Sequence, residues 1–231
     1  MDSIADNQHS YRPLDRRPIK ARSWPVWNRL AGWLAQRGVS ANAISLTGMI
    51  WGILAGIALA LTSLSGDGEP LTRLLFFLAA VAIQFRLLAN LLDGMVAISS
   101  GQASPVGELY NEVPDRISDT VILIGAGYAV GSQPMLGYLA ACAALFTAYV
   151  RAMGKAAGAA QEYCGPMAKQ QRMFLVTVTA LYLGLTPASW QPRWEAWGLL
   201  AFGLIVVIFG SILTALRRLV RIAHQLRKVR S

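Results

Sequence analysis

Long apolar runs alternate with short polar links along the chain, at about 41–63, 72–97, 107–130, 134–156, 170–187 and 195–216. Each run approaches the roughly 20 apolar residues a helix needs to cross a bilayer core. The links between them are punctuated by Gly, Pro, Ser and Asp, as in "SLSGDGEP", "ISSGQASPV" and "TPASWQPRWE". Ahead of the first run, "SWPVWNRLAGWLAQRG" places Trp24, Trp27, Leu30, Ala31 and Leu34 on one face, with Asn28, Arg29 and Gln36 elsewhere. That pattern predicts an amphipathic helix in the membrane interface. The expected fold is an all-α integral membrane protein of six transmembrane helices with an N-terminal interfacial helix. It forms one domain, 1–231, divided into a tail (1–22), the interfacial helix (23–38), the spans (41–216) and a basic tail (217–231).

Composition agrees with this class, since 55% of the 231 residues are hydrophobic and only 14% are charged. The polar opening "MDSIADNQHSYRPLDRRPIK" has no apolar core of the kind a signal peptide carries. Lys and Arg gather before the first span (Arg12, Arg16, Arg17, Lys20, Arg22, Arg29, Arg37) and after the last (Arg217, Arg218, Arg221, Arg227, Lys228, Arg230). Arg151, Lys155, Lys169 and Arg172 flank the link between spans four and five, whereas the opposite links offer only Arg193 and nearby Arg73. The positive-inside rule then puts both termini and that link in the cytoplasm. The net charge of +9 belongs to these juxtamembrane segments and calls for the lipid bilayer as partner, not nucleic acid. "LRRLVRIAHQLRKVR" continues the last span as a basic amphipathic helix. Cys142 and Cys164 fall in a span and a cytoplasmic loop and suggest neither a disulfide nor a metal site.

Against this apolar background stands "NLLDGMVAISSGQASPVGELYNEVPDRISDT", with Asp93, Glu108, Glu112, Asp115 and Asp119. Arg86, Asn90, Asp93 and Ala97 are spaced by four, three and four and share one helical face. Gly107, Asn111, Asp115 and Asp119 recur every four residues and share another, flanked by Glu108 and Glu112. The short link between the two helices predicts antiparallel neighbours whose oxygen-bearing faces converge at the cytoplasmic membrane surface. Convergent carboxylates and amides need positive charge between them. An all-oxygen set suits a hard divalent cation that also recruits substrate phosphates. The physical reading is a metal-assisted phosphoryl site at a membrane interface. Gly94, Ala97 and Gly107 leave room for a nucleotide. The plainer alternative is a polar hairpin in which Asp115 pairs with Arg86 or Arg116.

These residues resemble the motif of the CDP-alcohol phosphotransferases, D-x2-D-G-x2-A-R-x8-G-x3-D-x3-D. Without gaps, Asn90 takes the first Asp, Asp93 the second, Asn111 the third and Asp115 the fourth, with Gly94, Ala97 and Gly107 in register. "VSANAISLTGMIWG" is similar to the start of that family's first span and "FTAYVRAMGKAAG" to the end of its fourth. Two of four aspartates are here asparagines, a pattern like that of a bacterial subgroup, and the family's Arg after Ala is Ile98. Arg86, one turn deeper, is a candidate to replace that Arg or to pair with Asp93.

The resemblance implies transfer of a phosphatidyl group from CDP-diacylglycerol to a small alcohol, with release of CMP, in a bacterial cytoplasmic (inner) membrane. It implies Mg²⁺ or Mn²⁺ held by Asn90, Asp93, Asn111 and Asp115, with Asp115 as general base and Gly94, Ala97 and Gly107 against the CDP. A homodimer is expected. Arg116 and Asp119 would tune the site charge. Arg151, Lys155, Lys169 and Arg172 are candidates to bind a phosphorylated acceptor such as glycerol 3-phosphate, although the positive-inside rule alone also accounts for them. Two other classes stand beside this reading. One is a catalytically silent relative that binds nucleotide-lipid or scaffolds lipid enzymes. The other is a small transporter, against which the clustering of polar residues at one end speaks.

Overall fold

The structure, a computed structural model, describes residues 24–66, 68–101 and 105–229, with the side chains of Pro105, Glu108 and Val229 left aside. Among these residues the chain forms helices α1 (Pro25–Gln36), α2 (Ala41–Leu61), α3 (Pro70–Ser99), α4 (Pro105–Tyr128), α5 (Pro134–Ala156), α6 (Lys169–Leu185) and α7 (Leu199–Val229). Proline opens α1, α3, α4 and α5, where its fixed φ suits the first turn and its missing N–H leaves no bond unmade. Gly38, at φ 75°, ends α1. Its N–H donates to Ala35 O at 3.0 Å and that of Val39 to Leu34 O at 3.1 Å, the paired bonds of a Schellman cap. Ser40 then caps α2, its Oγ accepting from Ala43 N at 3.2 Å. The buried Ala31, with Trp27, Leu30 and Leu34, packs α1 on Leu92, Met95 and Val96 of α3.

Four helical segments, Ala41–Leu64, Pro70–Ser99, Pro134–Ala156 and Leu199–Lys228, are long and apolar enough to cross a membrane. Helix α4 carries the acidic face, and α6 is 17 residues long. Helix α7 runs unbroken from the last apolar run into the basic tail; Arg12, Arg16, Arg17, Lys20, Arg22 and Arg230 lie outside the described residues.

The short link between α3 and α4 predicted direct neighbours, and here the fold differs. Helix α2 packs extensively on both, whereas α3 and α4 scarcely approach each other. Glycines at every fourth position of α2 make this possible. A Cβ at Gly48 would lie 2.9 Å from Ala89 Cβ of α3, one at Gly52 2.6 Å from Ser118 Cβ of α4, and one at Gly56 2.5 Å from Val121 O. With little hydrophobic drive between helices in lipid, such close backbone approach supplies the packing energy. The polar faces of α3 and α4 therefore look across a gap closed by side chains.

The link between α6 and α7 contains a 3₁₀ turn (Ala188–Trp190) and a two-residue hairpin, β1 (Arg193–Trp194) with β2 (Trp197–Gly198). Glu195 takes a left-handed φ of 54° at its tip. Gly198 N donates to Gly131 O at 2.6 Å, tying this link to the one before α5. The last helix thus starts at Leu199 and not at 195, because the hairpin uses the intervening residues.

Candidate active site

Asn90 is half-buried and Asp93 fully buried on α3; Asn111 and Asp115, both half-buried, face them from α4. Asn90 Nδ2 donates to Asp115 Oδ2 at 2.8 Å and to Asn111 Oδ1 at 3.3 Å. Asn111 Nδ2 approaches Asp93 Oδ1 at 3.5 Å. The four positions of the sequence motif are thus joined by contacts across the gap in the order Asp115, Asn90, Asn111 and Asp93, a ring open between Asp115 and Asp93. Local periodicity explains why each pair shares a face; the α2 wedge explains why the faces meet through side chains.

Every oxygen of the two carboxylates is engaged. Asp93 Oδ1 accepts from Gly94 N at 2.5 Å and Oδ2 from Ser45 Oγ at 2.8 Å. Asp115 Oδ1 accepts from Arg86 Nη2 at 3.2 Å. Its Oδ2 also accepts from Lys169 Nζ, which donates in addition to Asn90 Oδ1 at 2.7 Å. Gly94 is buried, and Ala97 and Gly107 are half-buried beside the ring.

Beneath the ring lies a buried charged network. Arg86, 1% exposed, bonds Asp119 Oδ1 at 2.5 Å as well as Asp115, so it pairs with α4 carboxylates and not with Asp93. Arg86 and Asp93 lie about 10 Å apart along α3, whereas Asp115 and Asp119 meet the guanidinium from α4. Arg172, 2% exposed, donates to Asp119 Oδ2 at 3.3 Å, Met167 O at 2.9 Å and Thr147 Oγ1 at 3.4 Å. Arg218 of α7 donates to Cys164 O at 3.1 Å and Thr147 O at 2.9 Å. Three buried guanidiniums thus tie α3, α5, α6 and α7 and the loop before α6 to the floor of the site.

The expected basic cluster is divided by this arrangement. Lys169 enters the motif ring, and Arg172 lies in the floor. Arg151 is half-buried at the rim, bonded to Glu112 and 5.7 Å from the Tyr163 ring centroid, and Lys155 is exposed. Arg116 pairs with the same Glu112 one turn away. Asp119 belongs to the floor and Glu112 to the rim; the side chain of Glu108 lies outside the described residues. Sequence reasoning did not find Ser45 or Arg218. Ser45 lies in "VSANAIS", the stretch already similar to the family's first span, but nothing local shows that its hydroxyl meets residue 93. Cys142 and Cys164 are both free. Burial, followed by the neighbouring Glu162, raises the Cys164 thiol pKa, which keeps it in its unreactive protonated form.

No group of three or more His, Cys, Asp or Glu side chains able to hold a metal ion occurs among the described residues. The ring instead offers two carboxylates and two amide oxygens, a hard-oxygen set of the type that Mg²⁺ and Mn²⁺ take. A cationic ammonium already bridges two of these four donors, which shows that the ring attracts positive charge. The donor set fits a divalent ion.

Comparison with known proteins follows the same line. No family model matches the chain. It is 25% identical over 186 residues to inner membrane protein YnbA of Escherichia coli, covering 80% of this chain and 85% of that one. It is 23% identical over 188 residues to phosphatidylinositol phosphate synthase of Mycobacteroides abscessus, covering 79% and 80%. It is 26% identical over 147 residues to cholinephosphotransferase 1 of Gallus gallus, covering 62% of this chain but only 42% of that longer protein. The fold matches crystal structures of Mycobacterium tuberculosis phosphatidylinositol phosphate synthase. The complex with manganese and citrate gives a TM-score of 0.68 at 18% identity, covering 85% of this chain and 88% of that one. The complex with CDP-DAG gives 0.67 at 19%, covering 87% and 93%. With the motif in register, its residues gathered at one place and this fold around them, the chain is an all-α integral membrane protein similar in sequence and fold to phosphatidylinositol phosphate synthase.

Proposed function

We propose that this protein transfers a phosphatidyl group from CDP-diacylglycerol to the hydroxyl of a small phosphorylated alcohol, such as glycerol 3-phosphate, and releases CMP. The carrying observation is the ring of Asn90, Asp93, Asn111 and Asp115 across the gap between α3 and α4. These four residues would hold Mg²⁺ or Mn²⁺, which supplies charge neutralisation for the diphosphate. Asp115 takes the proton of the acceptor hydroxyl as the new P–O bond forms and the bond to CMP breaks. Arg86, bonded to both Asp115 and Asp119, fixes the orientation of that carboxylate. Gly94, Ala97 and Gly107 leave the space that the nucleotide requires. Arg116 neutralises Glu112 and so tunes the charge at the rim.

The test is purified protein in detergent with CDP-diacylglycerol, Mn²⁺ or Mg²⁺ and a panel of alcohols, following CMP. Release dependent on both metal and acceptor supports the reading. No release with any acceptor supports the silent relative instead.

For the acceptor phosphate, Arg151 at the rim and the exposed Lys155 in the last turn of α5 are the candidates, and a guanidinium matches phosphate oxygens in forked geometry. Arg151→Ala is expected to raise the acceptor KM by about tenfold or more, from a lost charge-assisted contact of about 1.5–3 kcal/mol. The KM for the CDP-lipid should change little. Equal changes in both would assign Arg151 to the lipid or to topology alone.

The same proposal includes six spans, both termini in the cytoplasm of a bacterial inner membrane, α1 lying in the interface, and a homodimer. A cysteine at Ser65 should be labelled by an impermeant reagent in intact cells, and one at Ser100 only after permeabilisation. The reverse pattern would place the site on the wrong side for CDP-linked substrates. A mass in detergent of a single 25.0 kDa chain would remove the dimer.

A further inference from the structure

We propose that Lys169 is a resident cation of the site, whose ammonium takes the place of a second divalent ion so that the ring holds one metal and not two. The inference rests on the metal-site reading above and deepens it. Lys169 Nζ bonds Asn90 Oδ1 at 2.7 Å and also Asp115 Oδ2. Two of the four motif donors are thus already shared by one positive charge.

The ammonium is held in place by the fold. Lys169 is the first residue of α6, and the segment before it is anchored. Met167 N donates to Thr214 Oγ1 at 3.0 Å, and Met167 O accepts from Arg172 Nη1 at 2.9 Å. Met167 itself packs where Gly210 leaves room, a Cβ there lying 2.8 Å from its own. Only 15% of the Lys169 side chain is exposed, so the charge is little screened by water.

The asparagines and the lysine make sense as a set. Asn90 presents its carbonyl to the ammonium and its amide N–H to Asp115 at 2.8 Å. An aspartate at that position would accept from Lys169 but would set one carboxylate against another. Asp93, Asp115 and Lys169 together leave one net negative charge among the motif residues and the lysine, while Arg86 divides its own charge between Asp115 and the nearer Asp119. That cradle attracts a first divalent ion, whereas a second would meet an ammonium at its own donors.

The experiment counts bound Mn²⁺ per chain in detergent by electron paramagnetic resonance of the free ion, without substrate. Wild type is expected to bind one ion. Asn90→Asp with Asn111→Asp should bind one more tightly, because Lys169 remains. Adding Lys169→Gln to that pair should raise the count to two, and adding Lys169→Arg instead should leave it at one. In the wild-type background Lys169→Gln should lower the Mn²⁺ Kd by about tenfold or more through relieved repulsion. Two ions in wild type, or two in the double mutant with Lys169 intact, would show that the ammonium is a displaceable occupant and overturn the proposal. A count of one in the triple mutant would also overturn it. No Mn²⁺ binding by wild type would overturn the metal reading of the site itself, and this inference with it.

Discussion

Asp115→Asn is expected to abolish CMP release, with a loss of about a thousandfold or more, equivalent to about 4 kcal/mol in the barrier. The substitution removes the proposed base and one of only two carboxylates in the motif ring. The amide has nearly the same shape but cannot take the acceptor proton, and it offers Arg86 and Lys169 one formal charge less. Asp93→Asn should lose a comparable amount, through the metal and not through proton transfer. Its one amide oxygen can accept from Gly94 N or from Ser45 Oγ but not from both, and the Ser45 hydroxyl also has Ala41 O to donate to, so thermal unfolding is measured beside the activity. The two variants separate in the Mn²⁺ titration. Asp93→Asn should weaken binding strongly, while Asp115→Asn should leave residual binding through Asp93. CMP release by Asp115→Asn near the wild-type rate would end its assignment as base.

The second large effect is on stability. Asp119→Leu should destabilise the protein by about 3–5 kcal/mol, since breaking a buried ion pair leaves uncompensated charge. Asp119 is 2% exposed and bonds Arg86 at 2.5 Å and Arg172 at 3.3 Å. Removing it leaves Arg172 without a carboxylate partner and Arg86 with Asp115 alone, and Nε of each already lacks a hydrogen-bond partner. For a chain of this length the loss corresponds to a fall in Tm of about 10 °C. Thermal unfolding in detergent measures it directly. Arg172→Met added to Asp119→Leu should recover part of the loss, because the guanidinium left without a carboxylate is gone. A Tm unchanged by Asp119→Leu would mean that the network beneath the site is not part of what holds α3, α4 and α6 together.

Much of the molecule was legible in one dimension because its causes are local. Apolar runs interrupted by Pro and Gly mark helices, since every backbone polar group in a bilayer must be paired within its own segment. The described helices accordingly coincide with the six apolar stretches and the Trp-rich segment before them. The shared faces of Asn90 with Asp93 and of Asn111 with Asp115 follow from helical periodicity alone, and the rarity of acidic groups in such a setting from the cost of desolvating charge.

What escaped the sequence are the pairings across long separations. Lys169 reaches Asp115 from 54 residues away and Asn90 from 79, and no local pattern distinguishes it from a basic residue kept inside by topology. Arg86 turned to Asp115 and Asp119 instead of Asp93, and Ser45 met Asp93 across 48 residues. Those choices depend on which helices touch. The short α3–α4 link pointed to direct neighbours, but the glycines at 48, 52 and 56 draw α2 between them, because backbone contact at a smooth helix face outweighs chain proximity in lipid. Periodicity by itself determined which residues face one way on each helix; tertiary packing decided which charge each of them meets.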